Sequence, residues 1–429
     1  MNSANARGRA LTGNISGTVV VVGAGIAGVS AAIWLQRAGA DVVLIDRKPP
    51  GEGASFGNAG VLAACSVAPV TGPGLAVRAP FLALDPDFPL FVVWRKLPAI
   101  APWLFRYMLN ANEGDTRRIA GALTGIVSDT VQQHRDLAGN TGAQRWLEDS
   151  SYVFAYGSRR DFENDRHVWS LRHVAGFVPE EIEGEAVREL VPGMAPEIGF
   201  LAVMHDHGYV RNPGEYVKDL AKSVQGAGGR IVRADVMDFD LSGGRIRSVG
   251  TSEGRFDCTT AIIAAGVWSG PLMRKLGLQI PIQSERGYHI LYRNPSIRIP
   301  FPIMVSAGKF VATPMDDGLR CAGVIEFGGL QEPPSAAPPT LIRKLVAKTF
   351  PDLTFDEVEE WSGHRPAPSD SLPLIGEIGK TRVFAAFGHH HIGLTGGPKT
   401  GRIVAALAAG TDPGINTAPY APNRFRQRR

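Results

Sequence analysis

The segment from Gly23 to Gly28 (Gly-Ala-Gly-Ile-Ala-Gly) has the residue types and spacing of a loop that binds phosphate groups. Gly23 allows a tight turn, Gly25 lets backbone N–H groups approach a pyrophosphate, and Gly28 lets the next helix pack against the preceding strand. The start of that helix favours an anion, because its first N–H groups lack partners within the helix. Asp46 follows at a distance that suits a carboxylate bound to a ribose hydroxyl. The segment therefore predicts a dinucleotide site.

The residues around this loop predict the elements that must position it. Thr18–Val22 is a run of β-branched residues, which indicates a strand buried on both faces. A helix is predicted over Ile26–Arg37, where apolar residues recur at helical spacing, and Gly39 ends it. A second apolar strand is predicted over Val42–Ile45. Together these elements form a complete βαβ unit.

Later segments distinguish FAD from NAD. No second glycine fingerprint follows for a nicotinamide cofactor. Residues 55–60 supply small side chains and an amide, residues 260–266 predict a strand that ends in small residues, and residues 387–397 place backbone donors at a predicted helix start. Such a start stabilises the negative charge of a reduced flavin. We therefore predict FAD, bound without a covalent link. The predicted cofactor-binding residues are Gly23, Ala24, Gly25, Ile26, Ala27, Gly28, Asp46, Arg47, Ser55, Asn58, Ala59, Gly60, Val61, Val236, Ala265, Gly266, Trp268, Gly388, Gly393, Leu394 and Thr395.

Composition excludes several classes of protein. The 44% hydrophobic and 20% charged content is that of a globular chain, not a disordered one. The net charge of +4 lies partly in the terminal segments, so no nucleic-acid partner is predicted. Cys65, Cys258 and Cys321 are too few and too widely spaced for a disulfide framework. The histidines at 205–207 and 389–391 lack a second ligand cluster, so no metal is predicted.

The chain of 429 residues is longer than one hydrophobic core usually serves. We predict an α/β fold, with a Rossmann-type FAD-binding domain of parallel strands and helices and an α+β substrate domain built on an antiparallel sheet. The predicted boundaries are a flexible leader at 1–16, a discontinuous FAD-binding domain at 17–75, 205–275 and 360–410, a substrate domain at 76–204 and 276–359, and a basic tail at 411–429.

These segments together resemble the D-amino acid oxidase superfamily of flavoproteins, which has a glutathione-reductase-like FAD domain, and most closely the bacterial D-amino acid dehydrogenases. The likeness is carried by the glycine loop, by Asn58-Ala59-Gly60, by Gly287-Tyr288, and by Trp361–Pro366 with its continuation to Gly376. The loop at Gly388–Thr395 completes the set. The resemblance extends from about Val19 to about Leu407 and so covers most of the chain.

The resemblance implies oxidation of a D-amino acid by hydride transfer from Cα to flavin N5, which gives an imino acid and then a 2-oxo acid. Electrons would pass to a quinone or another carrier. Arg365 is implied as the clamp for the substrate carboxylate, a role that suits a guanidinium because it binds carboxylates bidentately. Tyr288 is predicted to face the same carboxylate. His289, His390 and His391 are candidates to accept or relay the amine proton.

Alternative substrates and functions stay open at this point. Three histidines precede Ile392, where these dehydrogenases often have one, so a cyclic secondary amino acid such as D-proline or D-hydroxyproline is an alternative substrate. An oxidase of the glycine or sarcosine type is an alternative reaction. A flavin-binding subunit of a larger dehydrogenase complex is a third interpretation. The oligomeric state is not predicted.

The segment Pro89–Met108 mixes aromatic and basic residues and predicts a pair of helices broken by Pro98 and Pro102. These helices either cover the substrate domain or contact a membrane surface. No apolar stretch is long enough to span a bilayer, and the N-terminus lacks the apolar region of a secretion signal. We therefore expect a cytoplasmic protein, with peripheral contact at the inner face of the cell membrane as the alternative.

Overall fold

The structure, a computed structural model, describes residues 15–425 except for residues 76, 78, 80, 81, 83, 84, 86 and 87. Most of the predicted leader and the last four residues of the predicted basic tail therefore lie outside the described residues. The start of the predicted substrate domain, from residue 76 to residue 87, is described only in part.

A six-stranded sheet holds the glycine loop, and its order is β18-β19-β12-β1-β2-β8. Neighbouring strands are parallel except β18, which runs antiparallel to β19. The valines of β1 are buried on both faces, because helices cover one face and further apolar side chains cover the other. The strands are β1 (Thr18–Val22), β2 (Asp41–Asp46), β8 (Arg230–Arg233), β12 (Thr260–Ile263), β18 (Leu374–Glu377) and β19 (Val383–Phe387).

A ten-stranded sheet forms the second layer, with the order β17-β13-β16-β15-β14-β5-β7-β3. Two further strands pair at its sides, β4 with β16 and β6 with β7. Most pairs are antiparallel, as predicted for the substrate domain, but β14–β5 and β4–β16 are parallel. The strands are β3 (Val61–Leu62), β4 (Leu90–Val92), β5 (Leu147–Tyr156), β6 (Glu180–Glu183), β7 (Phe200–Val210), β13 (Ile282–Arg293), β14 (Ile303–Val305), β15 (Phe310–Met315), β16 (Gly318–Phe327) and β17 (Glu357–Pro368).

The FAD-binding domain was predicted to resume at residues 205 and 360. The chain returns to the six-stranded sheet later than these two positions. Strands β7 and β17 are long and cross those positions while they stay in the ten-stranded sheet. The six-stranded sheet resumes only at β8 and β18. The predicted strand at 245–250 lies in neither sheet, but in a small antiparallel sheet that packs on the six-stranded one. Its strands are β9 (Val236–Ser242), β10 (Arg245–Thr251) and β11 (Gly254–Asp257).

Two parallel helices, α1 and α11, cover the six-stranded sheet and contact each other closely. A Cβ atom at Gly401 would lie 2.5 Å from the carbonyl carbon of Ser30, and one at Gly397 would lie 3.0 Å from the side chain of Ile26. The pairing of 26 with 397 and of 30 with 401 shows that both helices begin on the same side. The helices are α1 (Ile26–Arg37), α2 (Leu97–Leu109), α3 (Glu113–Val127), α4 (Thr130–Ala138), α5 (Arg159–Asn164), α6 (Arg166–Val174), α7 (Glu185–Leu190), α8 (Pro213–Gly226), α9 (Ser269–Lys275), α10 (Ala337–Thr349) and α11 (Gly393–Ala409).

The segment Pro89–Met108 does not form the predicted pair of helices. It contains β4, a 3-10 turn and the single helix α2. Pro98 lies in the first turn, where a missing N–H costs nothing, and Pro102 is accommodated inside the helix. The apolar side chains divide between two faces, because Trp103 and Tyr107 are buried while Phe105 is 66% exposed. None of the described helices is long and apolar enough to cross a bilayer.

The end of the described chain is held against the core. Tyr420 is buried, and its hydroxyl donates to the carbonyl oxygen of Ala122 at 2.5 Å. The Arg424 guanidinium contacts the carboxylate of Asp370 at 2.7 Å and 3.1 Å. Part of the basic charge of the predicted tail is therefore neutralised inside the fold, next to the segment that follows β17.

Candidate active site

An elongated cavity of about 740 Å³ lies between the two large sheets. Its walls include the carboxyl ends of β1, β2 and β12, where parallel sheets usually bind ligands. The predicted site residues are brought together there from segments that are far apart in the chain. Among the predicted residues, Gly28, Gly60 and His289 are not part of the cavity wall.

The glycine loop at one side of the cavity is held by backbone contacts that exclude side chains. A Cβ atom at Gly28 would lie 1.8 Å from the carbonyl oxygen of Gly23, and one at Gly23 would lie 2.4 Å from that of Ala264. Gly25 differs, because the nearest atom to its Cβ position is the Ser55 hydroxyl oxygen at 3.4 Å. Backbone at Gly25 is therefore open to a ligand, which is the arrangement that a pyrophosphate requires.

The carboxylate of Asp46 lies at the end of β2 and lines the cavity. It accepts hydrogen bonds from the N–H of Ala24 at 2.7 Å and from that of Lys48 at 3.0 Å. The guanidinium of Arg47 lies 5.3 Å from the ring centre of Trp268, across the same part of the cavity. This end combines an acidic acceptor with an aromatic wall, which suits an adenosine.

The opposite end receives the start of α11. Gly393, Leu394 and Thr395 line the cavity, and they belong to the first turn of this helix, whose N–H groups lack partners within the helix. The Thr395 hydroxyl donates to the carbonyl oxygen of Val61 at 3.3 Å and so joins the helix to β3. The residues present fit an elongated dinucleotide that carries a flavin at this end.

Arg365, on β17, crosses the face of the neighbouring strand β13 beside this end of the cavity. It can do so only because residue 287 is a glycine, since a Cβ atom there would lie 2.5 Å from the guanidinium carbon. The guanidinium is one quarter exposed and donates through Nη1 to the Glu285 carboxylate at 2.8 Å. Strand alternation places Glu285 and Gly287 on the same face of β13.

Replacement of Gly287 by alanine is expected to displace the Arg365 guanidinium. The new methyl group would occupy the space of the guanidinium, so we expect KM for the substrate to rise about 10- to 100-fold while FAD stays bound. Steady-state kinetics and the flavin absorption spectrum check this. Gly121→Ala, at a helical glycine with no atom within 4 Å of its Cβ position, is the matched control. Unchanged KM in the Gly287 variant would contradict the expectation.

Glu285 was not predicted from the sequence, and it connects the predicted site residues. It is almost fully buried, and its second carboxylate oxygen accepts a hydrogen bond from His390 Nε2 at 2.5 Å. Burial alone would raise the pKa of Glu285, but His390 and Arg365 outweigh it and hold that pKa well below its usual range. Glu285 is therefore ionised. Burial, with a smaller effect of the nearby Glu285 carboxylate, raises the pKa of the Tyr107 hydroxyl.

His390 and His391 form a pair of imidazoles between Glu285 and the cavity. Their Nδ1 atoms lie 3.4 Å apart, and His391 faces the open cavity. His390 has a φ of 51°, a conformation that non-glycine residues rarely adopt and that the surrounding structure must hold. Although the His391 ring is exposed to the cavity, the protein packed around it and the neighbouring His390 lower the pKa of its imidazole, so it is neutral at neutral pH. Arg365 lowers that pKa further and Glu285 opposes the decrease.

Two other predicted residues make different contacts. The Tyr288 backbone lines the cavity side of β13, but its hydroxyl accepts a hydrogen bond from the N–H of Ser335 at 3.1 Å. Strand alternation directs Tyr288 to the face opposite Gly287, and its side chain packs in the core beneath the sheet. His289 stacks on Trp361 with ring centres 5.2 Å apart, and its Nδ1 bonds the carbonyl oxygen of Gly57 at 3.0 Å.

Comparison with known proteins identifies the family to which the chain belongs. The sequence profile of the DAO family, described as FAD dependent oxidoreductase, matches residues 18–407. The chain is 37% identical over 415 residues to a D-amino-acid oxidase of Bradyrhizobium diazoefficiens, with 95% of this chain and 98% of that protein covered. It is 28% identical over 439 residues to a D-amino acid dehydrogenase of Paramagnetospirillum magneticum, with 95% of this chain and 98% of that protein covered.

The solved structures agree at the level of the fold. The crystal structure of glycine oxidase from Geobacillus kaustophilus superposes with a TM-score of 0.72 at 20% identity, with 95% of this chain and 99% of that chain covered. The α/β fold with a dinucleotide-binding sheet and a second mixed sheet is thus confirmed, and so is the predicted cofactor. The chain belongs to the DAO family of FAD-dependent oxidoreductases, and its cofactor is FAD.

Proposed function

We propose that this protein oxidises a D-amino acid, or a cyclic secondary amino acid, to the imino acid that water converts to a 2-oxo acid. The observation that carries the proposal is the joined group of Arg365, Glu285, His390 and His391 at the flavin end of the cavity. This group supplies a guanidinium that can bind the substrate carboxylate and a neutral imidazole that can accept a proton from the substrate amine. The names of the two curated relatives support the same class of substrate.

Arg365 binds the substrate carboxylate. Glu285 occupies Nη1 of the guanidinium, which leaves Nη2 and Nε for an incoming carboxylate. Two parallel N–H donors hold a carboxylate in a fixed orientation and so fix the position of Cα. The Glu285 charge also limits the excess positive charge of the site before the substrate arrives.

The two imidazoles remove the amine proton. His391 is neutral and faces the cavity, so it can take a proton from a substrate ammonium on the nitrogen that points there. Its Nδ1–H then lies 3.4 Å from Nδ1 of His390, which can accept the proton in turn. His390 becomes an imidazolium paired with ionised Glu285. Bound FAD supplies the acceptor for the hydride that leaves Cα of the neutral amine.

Two electron acceptors are candidates for the second half of the reaction. The aromatic and basic surface at α2, with Phe105 exposed, favours a quinone or another carrier. The D-amino-acid oxidase among the relatives favours oxygen. We propose that a quinone or another carrier accepts the electrons and that α2 contacts a membrane surface, where a quinone would be reached. We also propose that FAD is bound without a covalent link.

The reaction is tested by mixing the yellow protein without oxygen with D-amino acids, L-amino acids and cyclic imino acids. We expect a D-amino acid or a cyclic imino acid to bleach the flavin absorption. Reoxidation is then followed with air and with a soluble quinone. Formation of stoichiometric hydrogen peroxide without quinone reduction would show that the protein is an oxidase and not a dehydrogenase. Absence of bleaching by any of these compounds would contradict the proposed substrate class.

A further inference from the structure

Arg172 also lines the cavity, at a distance from Arg365 in the fold. It belongs to α6 and is only 9% exposed. Its guanidinium carbon lies 4.2 Å from the ring centre of Phe154 and 4.4 Å from that of Trp169. The guanidinium therefore packs against both aromatic rings.

Arg172 lacks an acidic partner among the residues that the structure describes. Its Nε donates to the carbonyl oxygen of Cys65 at 3.4 Å, the outer limit of a hydrogen bond. No carboxylate of the described residues lies within 4.0 Å of its guanidinium, and no hydrogen bond is formed by Nη1 or Nη2. A buried cation without a partner is costly, because it has lost water without gaining a counter-charge.

Two other buried arginines in this protein make close contacts through Nη1, although Nε of Arg320 has no partner among the described residues. Arg286 pairs with buried Glu326 at 2.6 Å, and Arg320 donates to the carbonyl oxygens of Asn58 and Phe56 at 2.9 Å and 3.1 Å. The fold therefore supplies partners where an arginine serves the structure alone. Arg172 differs from these two residues because it lines the cavity and none of the described residues bonds its terminal nitrogens.

The surroundings of Arg172 do not neutralise it. Burial raises the pKa of the neighbouring Cys65 thiol to about 11, so this group stays protonated, and burial likewise raises the pKa of Tyr152. Lys309 also lines the cavity and is half exposed, and its ammonium group lies 3.9 Å from the carboxylate of Asp165. The carboxylates in the cavity wall are Asp46 and Glu285, and both have partners elsewhere.

We infer that Arg172 binds an acidic group at the far end of the substrate side chain, so that the protein prefers amino acids with a second acid group. The inference rests on the proposed function for the end that Arg365 binds. Arg172 lies over β5 and Arg365 over β13, which are four strand steps apart, or about 19 Å along a flat sheet. The sheet is curled, because His390, just before α11, bonds β13, and Thr395, in the first turn of α11, bonds β3. Longer acidic side chains should therefore fit better than that of aspartate.

The test compares D-aspartate, D-glutamate and D-2-aminoadipate with D-glutamine and D-norleucine as substrates of the FAD-loaded protein. We expect wild-type kcat/KM to be about 10- to 100-fold higher for the longer acids than for the neutral compounds, as a charge-assisted hydrogen bond provides. Arg172→Met should abolish this preference by lowering only the values for the acids. Arg172→Lys should keep part of it, and Arg159→Met, at an exposed arginine of α5, should keep all of it.

Binding of glutarate, a dicarboxylate that cannot be oxidised, provides a readout that needs no turnover. We expect it to perturb the flavin spectrum, and we expect Arg172→Met to weaken its binding about tenfold or more. Loss of glutarate affinity without oxidation of any amino acid would support the Arg172 site and reject the proposed reaction. Oxidation of amino acids with equal preference for acids and amides in the wild type, or with a preference unchanged in Arg172→Met, would reject the Arg172 site.

Discussion

Replacement of Arg365 by methionine is expected to leave FAD bound and to raise KM for amino acids about 100-fold or more. Two effects combine in this variant. The substrate carboxylate loses its guanidinium partner, and it also meets the Glu285 carboxylate, which has lost its ion pair with that guanidinium. The second effect predicts that the double variant Arg365→Met with Glu285→Gln binds substrate better than the single one.

The change in KM caused by Arg365→Met is measured by steady-state kinetics. The substrate is the amino acid that bleaches the flavin most effectively in the test without oxygen. The flavin absorption of the purified variant shows that the cofactor site is intact. Arg343→Met is the control, because Arg343 pairs with Glu360 at the surface of the same sheet. A variant with unchanged KM, or a double variant weaker than the single one, would exclude Arg365 as the carboxylate clamp.

Replacement of Glu285 by glutamine is expected to lower kcat at neutral pH about 100-fold, within the range that acid–base groups contribute. Glutamine keeps the size of the side chain but carries no charge, so His390 can no longer be stabilised as an imidazolium. The loss also lowers the pKa of His391, which Glu285 raises. Only substrate whose amine is already neutral in solution then reacts. The rising limb of the kcat/KM profile should therefore move to higher pH.

Anaerobic flavin reduction, followed from neutral to alkaline pH, measures this shift. His390→Gln should behave like Glu285→Gln, because the new amide can still donate to Glu285 but cannot carry a proton onward. His389→Gln is the control, since His389 bonds the Thr400 hydroxyl at 2.8 Å and takes no part in the pair. A Glu285→Gln profile that coincides with that of the wild type would show that the imidazoles act without it.

The Glu285→Gln substitution is also expected to change the stability of the fold. The folded-state pKa of Glu285 lies below its ordinary value of 4.5, so the ionised carboxylate stabilises the fold above that pH. This contribution is lost as the pH falls through the folded-state pKa. The difference in the free energy of unfolding between wild type and Glu285→Gln should therefore decrease on acidification, which urea unfolding at several pH values can measure.

Local patterns were sufficient to predict the dinucleotide half of the protein. The valine run of β1, the helix α1 and the glycine loop depend on contacts within about thirty residues, as for any βαβ unit. Their predicted bounds agree with the structure within one residue at each end. The two prolines in Pro89–Met108 were misleading, because Pro98 lies in the first turn of α2, where proline is tolerated, and the helix continues through Pro102.

The substrate end depends on pairing across the sheet, which one sequence does not specify. Glu285 faces Arg365 because of the register between β13 and β17, and it meets His390 only after the chain has returned more than a hundred residues later. One signal was available in the sequence. In an extended strand, Gly287 and Tyr288 point to opposite faces, so a glycine that makes room for Arg365 directs the neighbouring tyrosine hydroxyl away from it.

The parallel packing of α1 on α11 has an electrochemical consequence. Both helices begin at the cavity, and each brings the partial positive charge of its first N–H groups to the same ligand. A flavin becomes more negative when it gains electrons, so this field favours the reduced cofactor over the oxidised one. The midpoint potential of bound FAD should therefore exceed that of free FAD, and the physiological acceptor must have a potential that is higher still.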